Sequence, residues 1–120
     1  MGHVGLLPQN TTNFKVKGKN FFQKKRILED ANAISKSGVF AIIIECVVKN
    51  LAKEITKNVS VPTIGIGASK YCDGQILVTQ DLLGLTAQSV PSFVTPYANL
   101  SKEISNALGK YVQDVRETKR

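Results

Sequence analysis

The stretch FAIIIECVV, residues 40–48, decides the fold because an unbroken apolar run ends there in a carboxylate. Its first five residues are all apolar, and three of them are isoleucine. So short and isoleucine-rich a run is typical of a strand that is buried on both faces. Because an ionised acid is costly to remove from water without partners, Glu45 is predicted either to form a salt bridge or to lie at the mouth of a site.

Strands and helices alternate on both sides of this run. The predicted strands are the start of MGHVGLLPQ, then 39–45, 61–69 and 75–80, with a turn at 72–74. Helical spacing of apolar residues predicts three helices, marked by Ile27, Leu28, Ala31 and Ile34, by Leu51, Ala52 and Ile55, and by Ile104, Leu108, Tyr111, Val112 and Val115. Gly38 is the stop signal of the first helix, and the polar segment 11–20 is predicted to be loop.

This alternation predicts an α/β fold in which helices cover a parallel sheet. A doubly wound sheet and a (β/α)8 barrel both fit the pattern. A full barrel usually needs roughly 250 residues, so this chain of 120 residues supplies about half of one. We expect residues 1–120 to form a single, partial domain.

Composition is that of an ordinary globular protein, with 42% hydrophobic and 21% charged residues. No apolar stretch approaches the roughly 18 residues of a membrane helix, and the N-terminus lacks the pattern of a secretory signal. Cys46 and Cys72 lie far apart in sequence and are predicted to be free thiols in a reducing compartment. We therefore expect a cytoplasmic protein without a membrane partner.

A basic segment lies at residues 15–26, in a chain of net charge +7. It could bind a polyanion, with Phe21 and Phe22 as stacking partners. It could equally be a solvated loop and helix start, which is the commoner role of a charge run. Because no nucleic-acid motif accompanies the segment, the sequence favours the solvated surface.

Candidate site residues follow the predicted strands, because parallel sheets place working groups at the carboxyl ends of their strands. Glu45 ends one strand and His3 lies near the end of another. Together they suggest acid–base chemistry, since a partly buried Glu has its pKa raised toward neutrality. Both also have structural interpretations, Glu45 as a helix N-cap neighbour or an ion-pair partner and His3 as a structural or exposed residue.

Other polar residues at these ends give weaker indications. The segment GIGAS, residues 65–69, is a phosphate-loop candidate that lacks the third glycine of a dinucleotide fingerprint. Asp73 is interpreted as a turn residue and Asp81 as a helix cap. Cys46 is interpreted as a small packing residue.

Five stretches in fixed order carry a resemblance to a known family: GHVGLLPQ, RILEDANAISKSGVFAIIIECV, LAKEIT, VPTIGIGAS and CDGQILVTQDLLGL. In this order they resemble ketopantoate hydroxymethyltransferase, also called 3-methyl-2-oxobutanoate hydroxymethyltransferase. The resemblance runs from Met1 to about Leu85 and more loosely to the C-terminus. It departs from the family at Val48, Ser69 and Gln80, which stand where Pro, Gly and His are usual.

The resemblance implies the C-terminal half of a (β/α)8 TIM barrel of the phosphoenolpyruvate/pyruvate type. It implies transfer of a hydroxymethyl group from methylene-tetrahydrofolate to α-ketoisovalerate, giving ketopantoate for pantothenate synthesis. Glu45 matches the general base that enolises a magnesium-bound keto acid, and His3 matches the histidine beside that substrate. The enolate would then attack the one-carbon unit of the folate.

The same resemblance implies that the chain is incomplete as an enzyme. The family's magnesium ligands lie upstream of GHVGL, so no metal ligand is expected in this chain. We expect either a missing N-terminal half or a homo-oligomer. The alternative is a non-catalytic, truncated or relic half-barrel that associates through its open sheet edges.

Overall fold

Residues 1–8, 15–86 and 90–118 are described in the computed structural model of the chain. Two compact units divide the chain, Met1–Ile76 and Leu77–Arg120. Neither the predicted loop at 11–20 nor the proline-containing segment before the last helix is described throughout. The expected single domain over residues 1–120 stays a prediction, and each unit is treated by itself below.

The first unit is a four-stranded sheet of parallel strands in the order β1-β2-β3-β4. Its strands are β1 (Gly2–Gly5), β2 (Ile42–Glu45), β3 (Thr63–Ile66) and β4 (Gly74–Gln75), and its helices are α1 (Phe21–Lys36) and α2 (Lys49–Asn58). The predicted α/β class is confirmed. The order of the strands follows the order of the chain, so each carboxyl end lies at the same edge of the sheet.

Helix α1 has the stop signal that its sequence predicts, and it begins at a cap that the sequence analysis did not single out. The side chain of Asn20 accepts a hydrogen bond from the backbone N–H of Gln23 and so caps the first turn. At the other end the Ser37 N–H bonds the carbonyls of Ala33 and Ile34, and Gly38 follows with a φ of +86°. A left-handed residue after the last turn is a common way to end a helix.

The core lies between the sheet and the two helices. Ile42 and Ile44 of β2 are fully buried, as are Leu51 and Ile55 of α2. The isoleucine-rich run at 40–48 thus contains a central strand of the core. The apolar residues of α2 pack in the same cluster. The predicted helix around Leu51, Ala52 and Ile55 is confirmed, including its end at Asn58.

The prediction of a strand over 75–80 was wrong in its length, because the observed strand is much shorter. β4 contains only Gly74 and Gln75, and Thr79 already begins a helix. Ile76 and Val78 are exposed, and β3 is the sole strand neighbour of β4 within the described ranges. Strand propensity depends on neighbours for the side chains to pack against, which explains why this β-branched sequence does not extend the strand.

The second unit contains α3 (Thr79–Leu82) and α4 (Leu100–Thr118). The predicted last helix is confirmed, but its apolar stripe is not covered: Ile104, Leu108, Tyr111, Val112 and Val115 are all exposed. No residue of α4 whose burial is described is buried. Within the described segments, no helix is long and apolar enough to cross a membrane.

Candidate functional site

Glu45 and His3 lie side by side at the carboxyl edge of the sheet. Glu45 is the last residue of β2 and is only 6% exposed. His3 comes from the neighbouring strand β1, and its Nε2 atom lies 3.1 Å from Oε2 of Glu45. The structure therefore brings together the two residues that the sequence singled out.

These two side chains are close enough to form an ion pair, but the angles between them are not those of a hydrogen bond. The Nε2 atom of His3 is buried and has no hydrogen-bond partner among the residues that are described. A buried polar atom without a partner is costly. The pair thus holds a proton donor or acceptor that is available to a third group.

The backbone around Glu45 is held by hydrogen bonds to the segments on both sides of it. Its carbonyl accepts a hydrogen bond from Leu6 N–H, at 2.9 Å, and the following Cys46 N–H donates to Ile66. Cys46 itself has a φ of +49°, which is an uncommon conformation for a residue with a side chain. These constraints set the direction in which the chain leaves β2.

Gly5 is required by this arrangement. Its φ is +98°, and a Cβ there would overlap the carbonyl oxygen of Glu45 and a methyl group of Val47. Glycine is the residue that accepts both the left-handed backbone and the close approach. The end of β1 is therefore shaped to let the end of β2 lie against it.

Burial raises the pKa of Glu45 above its ordinary value of 4.5, and the nearby His3 opposes that rise. Desolvation disfavours the charged form of an acid, whereas a neighbouring positive charge favours it. A carboxylate with a raised pKa is a stronger base than an exposed one. It is therefore suited to accept a proton from carbon near neutral pH.

Both cysteines are free and buried, as their spacing predicted. Burial raises the pKa of Cys46, and the charge of Glu45 adds to this effect. Burial also raises the pKa of Cys72. Thiols with raised pKa values are poor nucleophiles, so the interpretation of Cys46 as a packing residue fits its environment.

Asp73 has a structural role at the opposite edge of the sheet. Its Oδ2 atom accepts hydrogen bonds from the backbone N–H and the hydroxyl of Thr63, at 2.7 and 2.9 Å. The bond from the Thr63 N–H is the main cause of the lowered pKa of Asp73. Asp81 lies inside α3, whose cap residues are Val78 and Leu83, so the interpretation of Asp81 as a helix cap was wrong. Its Oδ1 atom accepts a hydrogen bond from the Thr86 hydroxyl.

The segment 65–69 runs from the end of β3 into the loop that follows it. Gly65 lies inside β3, and Gly67 has a φ of +58°. The nearby backbone N–H groups of Tyr71 and Cys72 both donate to Ser69, to its hydroxyl and its carbonyl respectively. These two N–H groups are therefore not free to bind a phosphate, and the interpretation of 65–69 as a phosphate loop stays a prediction.

The basic segment 15–26 is partly neutralised within the protein. Lys24 pairs with Glu54 at 2.8 Å, and Lys25 lies 3.9 Å from Glu29. Phe21 and Phe22 are exposed and contact each other edge to face. Pairing of two of its cations fits the interpretation as solvated surface.

A second basic group was missed by the sequence analysis. The ammonium groups of Lys49, Lys53 and Lys70 lie 5.6, 4.5 and 5.9 Å from the centre of the Tyr71 ring. Lys70 and Tyr71 lie in the loop after β3, whereas Lys49 and Lys53 lie in α2. Because the chain folds them together from separate segments, no run of charge in the sequence marks them.

A metal site is not formed by the described residues. They contain no group of three or more His, Cys, Asp or Glu side chains placed to hold an ion. Glu45 and His3 provide at most two such groups, whereas a bound magnesium ion usually has near-octahedral oxygen coordination. The residues at hand therefore do not fit a magnesium site by themselves.

These features define an α/β protein with an acid–histidine pair where such folds place their chemistry. The family model for ketopantoate hydroxymethyltransferase matches residues 1–119. The chain therefore belongs to the ketopantoate hydroxymethyltransferase family, and the resemblance seen in the sequence is confirmed.

Individual relatives agree with the family match. The 3-methyl-2-oxobutanoate hydroxymethyltransferase of Pelagibacter ubique (strain HTCC1062) is 54% identical over 119 residues, which are 99% of this chain and 46% of that protein. The protein of the same name from Kosmotoga olearia is 50% identical, over 97% of this chain and 45% of its own length. That of Clostridium botulinum (strain 657 / Type Ba4) is 44% identical, over 99% and 44%. The chain spans less than half the length of these relatives.

Proposed function

We propose that this chain is the C-terminal half of a (β/α)8 barrel. The support is a sheet of consecutive parallel strands with its helices, matched to less than half of each relative. Within the described ranges the outer edge of β1 has no strand partner. A cavity of about 400 Å³ lies beside β1, lined by His3, Lys17 and Arg26 among others. An open edge and an adjoining cavity are what a partial barrel would leave at its boundary.

The function we propose is the reaction named for the relatives, hydroxymethyl transfer that produces ketopantoate. The substrates would be α-ketoisovalerate and methylene-tetrahydrofolate. The single observation that carries the proposal is the buried carboxylate of Glu45, held 3.1 Å from His3 at the carboxyl edge of the sheet. We further propose a cytoplasmic protein that works as a homo-oligomer or with a separate N-terminal half.

Glu45 would act as the general base in this reaction. Its carboxylate would take the proton from the carbon next to the ketone of α-ketoisovalerate, and the C–H electron pair would become that of an enolate. The enolate carbon would then form the new bond to the methylene carbon of the folate as that carbon loses its two bonds to folate nitrogens. Water would supply the hydroxyl group, and tetrahydrofolate would leave with the two protons that come from the keto acid and from water. The raised pKa of Glu45 makes the proton transfer less uphill than it would be to an exposed carboxylate.

His3 would have two tasks in the same step. It would hold the carboxylate of Glu45 in place, and its buried Nε2 atom, free of a hydrogen bond among the described residues, would face the bound keto acid. The family's magnesium would stabilise an enolate as a Lewis acid. Since the described residues do not form a site for that ion, its ligands would have to come from other residues.

A second candidate is a non-catalytic half-barrel that associates through its open edges. The exposed stripe of α4 and the unpaired edge of β1 favour it, because both are surfaces that another chain can cover. This candidate assigns no proton transfer to Glu45. The two candidates therefore differ in one measurable quantity, the turnover that depends on this residue.

The test is ketopantoate formation by the chain alone and by the chain mixed with the portion of the Pelagibacter ubique relative that it does not match. The assay contains both substrates and magnesium, and it compares the parent chain with Glu45→Gln. We expect turnover in the mixture, with a loss of at least about a hundredfold in the variant. Equal rates with both chains, or no product in any mixture, would favour the non-catalytic half-barrel.

A further inference from the structure

The residue that follows Glu45 has an uncommon backbone conformation. Cys46 has a φ of +49° and is fully buried. A residue with a side chain adopts this conformation at a cost, and it persists where the surrounding structure holds it. Because Cys46 directly follows the acid, a change in its φ would disturb the end of β2, which carries the Glu45 carboxylate.

Two hydrogen bonds hold Cys46 in this conformation. Its N–H donates to the carbonyl of Ile66 at 3.0 Å, and its carbonyl accepts from the N–H of Lys17 at 2.7 Å. The carbonyl of Lys17 in turn accepts from the N–H of Val48 at 3.0 Å. Lys17 thus forms a short parallel bridge with Val47, outside the four strands. One bond to Cys46 comes from β3, and the other comes from the segment before α1.

Gly18 fixes this segment against α2. It is buried and has a φ of +81°, and a Cβ there would lie 2.5 Å from a methyl carbon of Leu51. Leu51 is itself fully buried, so it has little room to move aside. Glycine accepts both the left-handed backbone and the close approach. A side chain at position 18 would therefore push the segment away from Cys46.

Gln23 joins the same segment to the start of α1. Its Oε1 atom accepts a hydrogen bond from the Gly18 N–H at 3.2 Å. Its own backbone N–H donates to the side chain of Asn20 at 2.9 Å. The two bonds resemble a capping box, in which side chains at a helix start satisfy backbone N–H groups reciprocally. Lys17, Gly18 and Gln23 together are called the 17–23 clamp below.

The 17–23 clamp also borders the acid–histidine pair. Lys17 and Gln23 line the same cavity of about 400 Å³ that His3 and Gly5 line. A displacement of the clamp would therefore change the backbone behind Glu45 and the cavity wall beside His3 together.

We propose that the 17–23 clamp is a positioning element for Glu45. Gly18 and Gln23 hold Lys17 in place, and Lys17 holds the backbone turn at Cys46 that fixes the end of β2. The consequence for catalysis rests on the proposed function, because a displaced base removes a proton from carbon more slowly. The placement of the carboxylate by the clamp can be tested without any reaction.

The first test measures how accessible the Glu45 carboxylate is. The full chain is treated with a carbodiimide and an amine in native buffer, and labelling of each carboxylate is followed by mass spectrometry. Glu45 is 6% exposed and should react slowly, whereas the exposed Glu29 should react fast. Gly18→Ala and Gln23→Met should each speed the labelling of Glu45 at least about threefold, because the turn after it opens more often. Labelling of Glu29 should not change.

Two further variants separate positioning from a general loss of stability. Gln23→Glu keeps an oxygen that can accept from the Gly18 N–H, so labelling of Glu45 should return to the slow rate of the parent. Gly38→Ala places a side chain at another positive φ, where nothing lies within 4 Å of the new Cβ, and should leave the labelling of Glu45 unchanged. Because Gln23 is exposed, Gln23→Met should fold even if Gly18→Ala does not.

Equal labelling of Glu45 in the parent and in Gln23→Met would overturn the proposal. So would the same acceleration in Gly38→Ala, since lost stability alone would then expose the acid.

Deuterium exchange at the carbon next to the ketone of α-ketoisovalerate is the separate readout for catalysis. It uses the chain mixed with the unmatched portion of the Pelagibacter ubique relative. Gln23→Met should lower the maximal exchange rate about tenfold with little change in the half-saturating keto acid concentration, and Gln23→Glu should restore the rate. If the parent mixture gives no exchange, the proposed function fails, and the labelling alone decides whether the clamp places the acid. If the parent exchanges and Gln23→Met does so at the same rate, the clamp fails as a positioning element while the proposed function stands.

Discussion

The two edges of the sheet shift the pKa of a carboxyl group in opposite directions. At the carboxyl edge, Glu45 is buried beside His3, and burial raises its pKa. At the amino edge, Asp73 is exposed and accepts hydrogen bonds from Thr63, chiefly from its backbone N–H, which lower its pKa. One carboxylate is held in a state that favours taking up a proton, and the other in a state that favours keeping its charge.

This difference separates a chemical role from a structural one. The bonds between Asp73 and Thr63 join the start of β4 to the start of β3 and gain from the full charge of the carboxylate. Among the residues that the structure describes, no backbone N–H donates to the Glu45 carboxylate, and burial makes its charge a cost to the fold. A costly group that the fold nevertheless holds in place is a candidate for function, since functional sites often give up stability.

The largest effect should come from adding a side chain at Gly5. Gly5→Ala must accept a left-handed φ and an overlap with the carbonyl of Glu45, and should lower the free energy of unfolding by on the order of 3 kcal/mol. Gly38→Ala is the matched control, because Gly38 has a φ of +86° but no atom within 4 Å of a new Cβ. It should cost only about 1 kcal/mol. Equal losses in urea denaturation would mean that the carboxyl edge is not closely packed.

A smaller effect is expected when the charge at the amino edge is removed. Asp73→Asn weakens the hydrogen bonds from Thr63 and should destabilise the protein by about 1 kcal/mol. Glu45→Gln is the comparison, since it removes a buried charge at nearly constant volume and should be neutral or stabilising. Urea denaturation of both variants at neutral pH checks the ranking. A Glu45→Gln variant less stable than Asp73→Asn would reverse our assignment of the two roles.

The smallest effect is the pH dependence of stability, which should have opposite signs at the two edges. The folded-state pKa of Glu45 is raised, so its contribution is present below about 4.5 and is lost as pH rises through the folded value. The folded-state pKa of Asp73 is lowered, so its contribution is present above about 3.8 and is lost as pH falls through the folded value.

Unfolding free energies measured across pH for the parent and the two variants separate these effects. The parent should lose stability relative to Glu45→Gln on going from acidic to neutral pH. It should lose stability relative to Asp73→Asn only in stronger acid. Differences that do not vary with pH would show that neither carboxylate has a shifted pKa.

Much of the first unit follows from local sequence. The isoleucine run predicts β2, and the apolar spacing with the stop at Gly38 predicts α1, because each signal acts within a few residues. The position of Glu45 at a strand end also follows from the run itself. Its pairing with His3 followed from the rule that parallel strands end at one edge, although the 3.1 Å separation could not be predicted.

What the sequence missed depends on contacts between distant segments. The run 75–80 has strand propensity, yet the strand ends at Gln75. Among the described residues only β3 lies beside β4, and the side chains of Ile76 and Val78 are exposed. The three lysines around Tyr71 come from α2 and from the loop after β3, so no continuous run of basic residues marks them in the sequence. Both depend on tertiary context.

The measurement that tests the central claim most directly is deuterium uptake from solvent at the carbon next to the ketone of α-ketoisovalerate, followed by NMR. It uses the chain together with the unmatched portion of the Pelagibacter ubique relative. We predict that Glu45→Gln slows the exchange by about a hundredfold or more, whereas Asp73→Asn leaves it unchanged. Exchange at the same rate in the parent and in Glu45→Gln would contradict the role of Glu45 as the base.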